Sequence, residues 1–365
     1  MSSSMRNVLV TGGAGFIGSN FIHYLLRVEP DVSIVNLDAL TYAANLDNLL
    51  ELPDPRRYSF VQGDICDQEL VDRVIAEHDV SIVVHFAAES HVDRSIRTPD
   101  AFVRTNIVGT FTLLEASRQA WLERPAKAPG PFCFHHVSTD EVYGSLLPGD
   151  PAFKESDRYA PNSPYAASKA ASDHLVRTYF QTYGLPVTLT NCSNNYGPFQ
   201  FPEKLVPLMI LNALNGRPLP IYGDGRQVRD WLYVEDHCEA IWAVINRGRI
   251  GETYNVGGAN QPANIEVVGE ICRLLDELAP GSGHAPHGRL CRFVADRPGH
   301  DRRYAMSIDK IREELGWRPK EHLAGGLAKT VRWYLAHPDW VRGIEDRPDY
   351  RAWLRRHYGG EGGTK

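Results

Sequence analysis

Short, almost wholly apolar runs recur along the first half of this chain, at residues 8–11, 32–38, 59–62, 82–86, 132–138 and 187–191, with longer amphipathic stretches between them. A strand with one face in water alternates apolar and polar residues, whereas an unbroken apolar run is covered on both faces. Parallel strands also need a crossover of helix length between them, which the intervening stretches supply. The pattern predicts an α/β fold, a doubly wound parallel sheet with helices on both sides.

The rhythm loosens after Gly197, where Pro198, Pro202, Pro207, Pro218 and Pro220 follow closely among aromatic and basic residues. That change predicts a second, smaller mixed α/β lobe. Residues 229–258 look α/β again, with Leu232-Tyr233-Val234 ahead of a helix and 253–256 as a further strand. The expected division is 1–198 for the first domain and 199–365 for the second, with 228–258 packing back on the first. Segments 124–131 and 280–287 read as loops, and the glycine-rich tail 359–365 as disordered.

Composition mainly excludes. At 365 residues, 43% hydrophobic and 23% charged, the chain has room for two lobes. Lys and Arg number 39 against 45 Asp and Glu, a net charge of −6, so an anion site has to be built locally and a nucleic-acid partner is not expected. Cys66, Cys133, Cys192, Cys238, Cys272 and Cys291 form no C-x-x-C pair, as in a reduced compartment. No run approaches the ~20 apolar residues of a membrane span, and residues 1–7 lack a signal-peptide core. The expectation is a cytoplasmic protein without a membrane partner.

Residues 8–11 lead into Gly12-Gly13-Ala14-Gly15-Phe16-Ile17-Gly18, a strand running through a glycine turn into a helix. The spacing satisfies G-x-G-x-x-G at Gly13, Gly15 and Gly18 and also G-x-x-G-x-x-G at Gly12, Gly15 and Gly18. Such a turn brings a pyrophosphate against backbone amides at a helix N-terminus, where the helix dipole favours an anion. A lone glycine motif would be weak, but Asp38 ends the second run 20 residues after Gly18, placed to hydrogen-bond a ribose diol. A carboxylate there repels a 2′-phosphate, which favours NAD over NADP in a Rossmann-type site. Asp64 and Ile65 after the third run, and Ala87 and Ala88 after the fourth, have the small or polar character expected beside adenine and ribose.

A second chemistry-bearing cluster lies downstream. Ser138-Thr139-Asp140-Glu141 closes an apolar run, and Tyr165-x-x-x-Lys169 follows on the next predicted helix, where residues four apart share a face. A lysine cation near a phenol is expected to lower its pKa and make it a base for a hydroxyl proton. Asp140 and Glu141 add a second acid and a second base, more proton-transfer equipment than a simple dehydrogenase needs. Adjacent carboxyls can take opposite roles if Asp140 is kept protonated and Glu141 stays ionised. His85, His91 and His237 show no metal-ligand spacing and read as core residues, so no metal is expected.

The chain resembles the extended short-chain dehydrogenases/reductases, and among them the dTDP-glucose 4,6-dehydratase family. The similarity runs through TGGAGFIGSN (11–20), HFAAESHVDRSI (85–96), TNIVGT (105–110), STDEVYG (138–144), SPYAASKA (163–170), NCSNNYGPFQFPEKLVP (191–207), RDWLYVEDH (229–237) and DRPGHDRRYA (296–305). It implies NAD as cofactor, dTDP-glucose as substrate and a hydro-lyase reaction: oxidation at carbon 4, loss of water across carbons 5 and 6, and hydride return to carbon 6. By the same resemblance Tyr165, with Lys169 and Thr139, takes the 4-hydroxyl proton, Glu141 the carbon 5 proton, and Asp140 protonates the departing 6-hydroxyl.

The resemblance also assigns Ser90, Thr139 and Asn194 to the sugar, and Thr105 and Asn195 to the cofactor side. Glu203 and Lys204 would sit over the hexose and diphosphate, while Arg229, Asn264, Arg297, His300 and Tyr304 would hold the nucleotide diphosphate in the 199–365 lobe. Helices expected over 105–118 and 165–179 would form a four-helix bundle with a twofold mate, giving a homodimer. Two alternatives remain at this point: a nucleotide-sugar 4-epimerase or decarboxylase, which lacks a task for Asp140 and Glu141, and a catalytically silent dinucleotide sensor. The base of the sugar nucleotide, thymine by resemblance, is not decided against uracil or cytosine.

Overall fold

The computed structural model describes residues 5–123, 131–296, 300–348 and 350–353. Seven parallel strands form the main sheet in the order β10-β6-β5-β4-β1-β2-β3. They are β1 (Arg6–Thr11), β2 (Val32–Asp38), β3 (Tyr58–Gln62), β4 (Ile82–His85), β5 (Cys133–Thr139), β6 (Val187–Cys192) and, after an excursion into the second lobe, β10 (Thr253–Val256). Two short pairs complete the strands, β7 (Asn194–Tyr196) with β9 (Trp231–Tyr233) and β8 (Leu219–Tyr222) with β11 (Cys291–Val294).

The apolar runs are buried on both faces, with the two-residue period of a strand. Val8, Val10, Ile82 and Val84 enter one core with Phe21, Leu25 and Trp242, while Leu9, Val35, Leu37, Val83 and Phe134 enter the other with Leu113, Leu114 and Val176. The first core lies under α1 (Phe16–Val28), the second under α2 (Gln68–Glu77). Between β4 and β5 come α3 (Val92–Arg97), α4 (Pro99–Phe102) and α5 (Thr110–Arg118), and α6 (Pro164–Tyr183) leads to β6. After β6 come α7 (Leu205–Leu214), α8 (Val234–Arg247), which packs against α1, and α9 (Asn264–Leu278). Last come α10 (Asp309–Leu315), α11 (Leu323–Ala336) and α12 (Pro338–Glu345).

The helix expected over 105–118 is not uniformly α-helical. Val103–Gly109 and Gln119–Glu123 are wider π-helical turns on either side of α5. Wide turns of this kind concentrate at functional sites, where they re-aim side chains. Within the first, buried Asn106 accepts from Glu89 N at 2.8 Å and donates to Ser168 Oγ at 2.8 Å, tying the loop after β4 to α6. Strands β7, β8, β9 and β11 are three or four residues long and carry no clear alternation, which is why the pattern did not mark them out beyond part of β9. Most of the 124–131 segment and all of the 359–365 tail lie outside the described residues.

The C-terminal segment returns to the first domain. Trp340 Nε1 donates to Asn48 Oδ1 at 2.7 Å, and Asn48 Nδ2 donates to Ala14 O at 3.0 Å inside the glycine turn. Arg347 donates to the carbonyls of Tyr42 (2.7 Å) and Ala44 (3.2 Å), and the Tyr334 and Tyr350 hydroxyls reach those of Gln200 and Pro202. The loops at 41–45 and 200–203, both walls of the cleft described next, are thus held by the last described turns of the chain.

Candidate active site

Strands β1 to β6 end together on one side of the sheet, where their loops enclose a cleft of about 350 Å³. This is the expected place for a ligand in an open α/β sheet, beside the point where strand order reverses between β1 and β4. Gly12, Gly15, Phe16, Ile17, Gly18, Asp38, Asp64, Ile65, Ala87, Ala88, Thr105 and Asn195 all line it. So do Thr139, Asp140, Glu141, Tyr165, Lys169, Ser90, Asn194, Glu203 and Lys204.

At the β1 end, Gly12 has φ +72°, and a Cβ there would lie 2.7 Å from Ala87 N; at Gly18 it would lie 2.3 Å from Gly12 O. Side chains would therefore fill the turn and force α1 away from it. The helix begins at Gly15 without a side-chain cap, which leaves amide donors of its first turn for an anion. Asp38 accepts from Ala14 N at 2.9 Å and Leu40 N at 2.8 Å, and burial pushes its carboxyl up while those amides pull it back. Each carboxylate oxygen keeps a lone pair for a diol. Glycine turn, uncapped helix and anchored acid together fit a dinucleotide.

At the β5 end, the chain turns from Thr139 into a short 3₁₀ segment, Asp140–Tyr143, with Thr139 Oγ1 accepting from Glu141 N at 3.3 Å. The turn sends two consecutive carboxyls into different surroundings. Asp140 is 2% exposed, and its Oδ1 accepts from the Thr139 hydroxyl at 3.3 Å. Its Oδ2 is buried without a hydrogen-bond partner among the described residues. Burial first, then the charge of Glu141, holds the Asp140 carboxyl well above the usual range against the opposing pull of Arg229. Glu141 is only partly buried and borders the cleft. An acid that holds its proton beside a less buried carboxyl group offers an acid/base pair separated by environment.

Tyr165 sits in the first turn of α6, which is capped by Ser163 accepting from Ala166 N at 3.1 Å and entered through Pro164. Its ring meets Phe102 edge-on at 6.2 Å. The expectation that Lys169 would lower the phenol pKa is not met by the chain's own groups. Burial, followed by Glu141 and Cys192, drives the phenol well above its ordinary value, with the Thr139 hydroxyl pulling the other way. Lys169 does not offset this, because its ammonium turns toward β5 and donates to Val137 O at 2.8 Å.

Other site residues lie apart from the cleft walls. Arg229, Asn264, His300 and Tyr304 form a second cluster around residues 227–304. The Arg229 guanidinium lies 4.3 Å over the Tyr304 ring and donates to Asp301 O, and His300 pairs with Asp296 at 2.6 Å. The cluster acts electrostatically on the cleft, Arg229 on Asp140 and Glu141 on Tyr304. Arg297 lies outside the described residues.

Glu203 is turned inward. Its Oε1 accepts from Tyr42 OH at 3.0 Å, and its Oε2 is 3.6 Å from Arg94 Nε and 3.8 Å from His91 Nε2. Lys204 donates to Ser90 O at 3.0 Å. His237, on α8, lies 2.9 Å from Asn195 Oδ1, and His85 bridges the Thr11 and Thr110 hydroxyls at 2.8 and 3.0 Å.

Sequence reasoning missed several contributors. Asn36 accepts from Gly13 N at 3.0 Å, Tyr42 and Arg94 brace Glu203, Cys192 lines the cleft, and His136 and Asp173 lie beneath Lys169. All reach the site through tertiary contacts that leave no local signal. Among the described residues, no group of three or more His, Cys, Asp or Glu is placed to hold a metal, and no helix is long and apolar enough to cross a membrane.

A sequence family described as GDP-mannose 4,6 dehydratase matches residues 9–330. The chain is 58% identical over 342 residues to a dTDP-glucose 4,6-dehydratase of Neisseria meningitidis, covering 93% of this chain and 96% of that one. A dTDP-glucose 4,6-dehydratase of Streptomyces venezuelae solved with NAD bound superposes with a TM-score of 0.83 at 47% identity, over 93% of this chain and 99% of that one. A UDP-glucose 4-epimerase of Thermotoga maritima shares the architecture at a TM-score of 0.79 but only 29% identity, over 91% of this chain and 99% of that one.

Proposed function

Because the chain belongs to the dTDP-glucose 4,6-dehydratase family, within the extended short-chain dehydrogenases/reductases, we propose that its cleft divides one reaction among Thr139, Asp140, Glu141, Tyr165 and Lys169. The enzyme is an NAD-dependent hydro-lyase that converts dTDP-glucose to dTDP-4-keto-6-deoxyglucose and water. Bound NAD supplies the hydride acceptor for carbon 4 and the donor for carbon 6, and its oxidised ring brings a positive charge that would favour an ionised phenol.

Gly12, Gly15 and Gly18 would receive the pyrophosphate, and Asp38 the ribose diol. Tyr165, with Thr139 at its oxygen and the Lys169 ammonium one helical turn away to favour its ionised form, takes the proton of the 4-hydroxyl. The carbon 4 ketone acidifies the carbon 5 proton, which passes to Glu141, the more solvent-accessible carboxylate. Asp140 gives its proton to the 6-hydroxyl, so that water leaves. Ser90 and Asn194 hold the sugar; Arg229, Asn264, Arg297, His300 and Tyr304 hold the nucleotide diphosphate.

The observation that carries this reading is the buried Asp140 beside the partly buried Glu141, both lining the same cleft as Tyr165. The test is incubation with dTDP-glucose and no added reductant, followed by the alkali-induced absorbance of a 4-keto-6-deoxy sugar and a product lighter by one water. Turnover of UDP- or CDP-glucose alone would change the base and keep the mechanism, and inactivity with all three would overturn it.

The proposal extends to a cytoplasmic homodimer that supplies 4-keto-6-deoxy sugars for rhamnose and other deoxyhexoses. Support for the dimer comes from Val103, Val108, Phe111 and Leu122, large apolar side chains left exposed along the 99–123 helical run next to α6. Light scattering should give twice the chain mass for the wild type and the chain mass for Val103→Glu/Phe111→Glu. A monomeric wild type would remove the dimer.

A further inference from the structure

Beneath the cleft Lys169 belongs to a buried polar cluster whose other members, His136 and Asp173, have no task in the mechanism above. The Lys169 ammonium, cut off from water, lies 3.4 Å from His136 Nε2 on β5 in addition to its bond to Val137 O. Asp173 follows one turn later on the same face of α6, also buried. Its Oδ1 is 3.3 Å from His136 Nε2, and its Oδ2 accepts from Ser138 Oγ at 2.8 Å and Asn191 Nδ2 at 3.2 Å. Neither His136 nor Asp173 lines the cleft. Burial raises the Asp173 carboxyl, while the charge of Lys169 and hydrogen bonds from Ser138, Tyr159 and Asn191 pull it back, which makes it a built counter-charge to the buried ammonium.

We propose that Asp173, by its charge across the His136 Nε2 edge, is the positioning residue that keeps Lys169 ionised one helical turn from Tyr165. The inference rests on the role given to Lys169 above and supplies what that role requires. An ammonium taken out of water without a compensating anion discharges. Burial already draws Lys169 down to about 8, with Asp173 as the largest opposing influence, so the lysine remains charged at neutral pH by a narrow margin.

The other groups facing the cluster cannot take over. His136, and His85 on β4 at 5.2 Å from it, are held neutral by burial, each well below its ordinary value. The Cys192 thiol on β6 is pushed up to about 12. The Tyr143 hydroxyl bonds Asn255 at 2.9 Å, the Tyr159 hydroxyl lies 3.3 Å from Asn191 Oδ1, and both phenols are raised by burial. Asp140 and Glu141, on the turn after β5, act on Tyr165 from the cleft side, and the Tyr165 phenol is itself raised by burial. Asp173 is the acid on the lysine's own side of the site.

The test is the pH profile of kcat for Asp173→Asn and Asp173→Glu. Without the carboxylate the ionised lysine is less favoured, so the alkaline limb of Asp173→Asn should move to lower pH by at least one unit, tenfold in the ionisation constant. KM and NAD content should stay within twofold, and Asp173→Glu should recover at least half of the displacement. A folded Asp173→Asn enzyme with the wild-type alkaline limb overturns the proposal. If that variant does not fold, Ser138→Ala, which strips a donor from the carboxylate, should shift the limb in the same direction, and an unmoved limb again overturns it. Lys169→Met separates the two levels: wild-type turnover there would remove the role of Lys169 itself. An inactive Lys169→Met beside an unshifted Asp173→Asn would remove only the inference.

Discussion

Tyr165→Phe is expected to fold, to retain NAD, and to turn over dTDP-glucose at least about a thousandfold more slowly than the wild type, within the range a positioned general base contributes. The ring fills the same space against Phe102, and the one group lost is a hydroxyl whose partner, Thr139, also serves Asp140 and Glu141. No buried charge is stranded, so stability should change little. The cofactor end, built from the glycine turn and Asp38, is untouched. Product absorbance after alkali gives the rate, and nicotinamide released on denaturation gives the occupancy. Activity within tenfold of wild type would remove the tyrosine from the oxidation, and loss of NAD would make it a binding residue.

The second large effect belongs to Glu141→Gln, which keeps shape and removes the base. Oxidation at carbon 4 needs Tyr165 and should survive, whereas proton removal at carbon 5 should fall by about a hundredfold or more. Reduced nicotinamide would then build up on the enzyme, visible by its near-ultraviolet absorbance when dTDP-glucose is mixed in. In deuterated water the carbon 5 position should exchange far more slowly than in the wild type. Glu141 is only partly buried, so the fold should tolerate the change to within about 0.5 kcal/mol. A large rise in KM with normal turnover would instead give Glu141 a purely binding role. The contrast with Asp140 is physical: the same substitution one residue earlier removes a proton donor in a buried site.

How much of this was readable in advance follows from how far each signal travels along the chain. The sheet was legible because parallel strands covered on both faces must be continuous apolar runs, and Val8 to Val10 or Ile82 to Val84 have no polar alternation to obscure them. The cofactor end was legible because one contiguous turn, Gly12 to Gly18, carries nearly all of its geometry. Asp140 and Glu141 stand out in the sequence as neighbours, but only the turn after Thr139, which buries one and leaves the other partly exposed, separates their roles.

The π-helical turns around α5 were hidden, since a run such as TNIVGT permits either spacing of backbone hydrogen bonds. Asn36, Tyr42, Arg94 and His136 were hidden for another reason: each acts on a partner that tertiary folding alone brings near, and Asp173, though one turn from Lys169 on α6, gains significance only once His136 and Ser138 of β5 are packed against it. The partial misjudgement of Lys169 has the same origin. Four-residue spacing puts Tyr165 and Lys169 on one face of a helix, but the direction taken by the lysine's long stem is decided by Val137 and His136 across the packing layer.

The hold that Trp340, Arg347 and Tyr350 exert on the loops at 41–45 and 200–203 bears on how the protein comes into being. A ribosome releases the glycine turn long before these three residues, so the outer walls of the cleft are fixed only after the chain has emerged as far as Tyr350. A nascent or prematurely ended chain would carry the cofactor motif in full sequence yet lack the contacts that fix its surroundings. Synthesis through residues 340–350 is in this way a condition for the finished cleft, written into the fold by the return of those residues to the turn that follows its first strand.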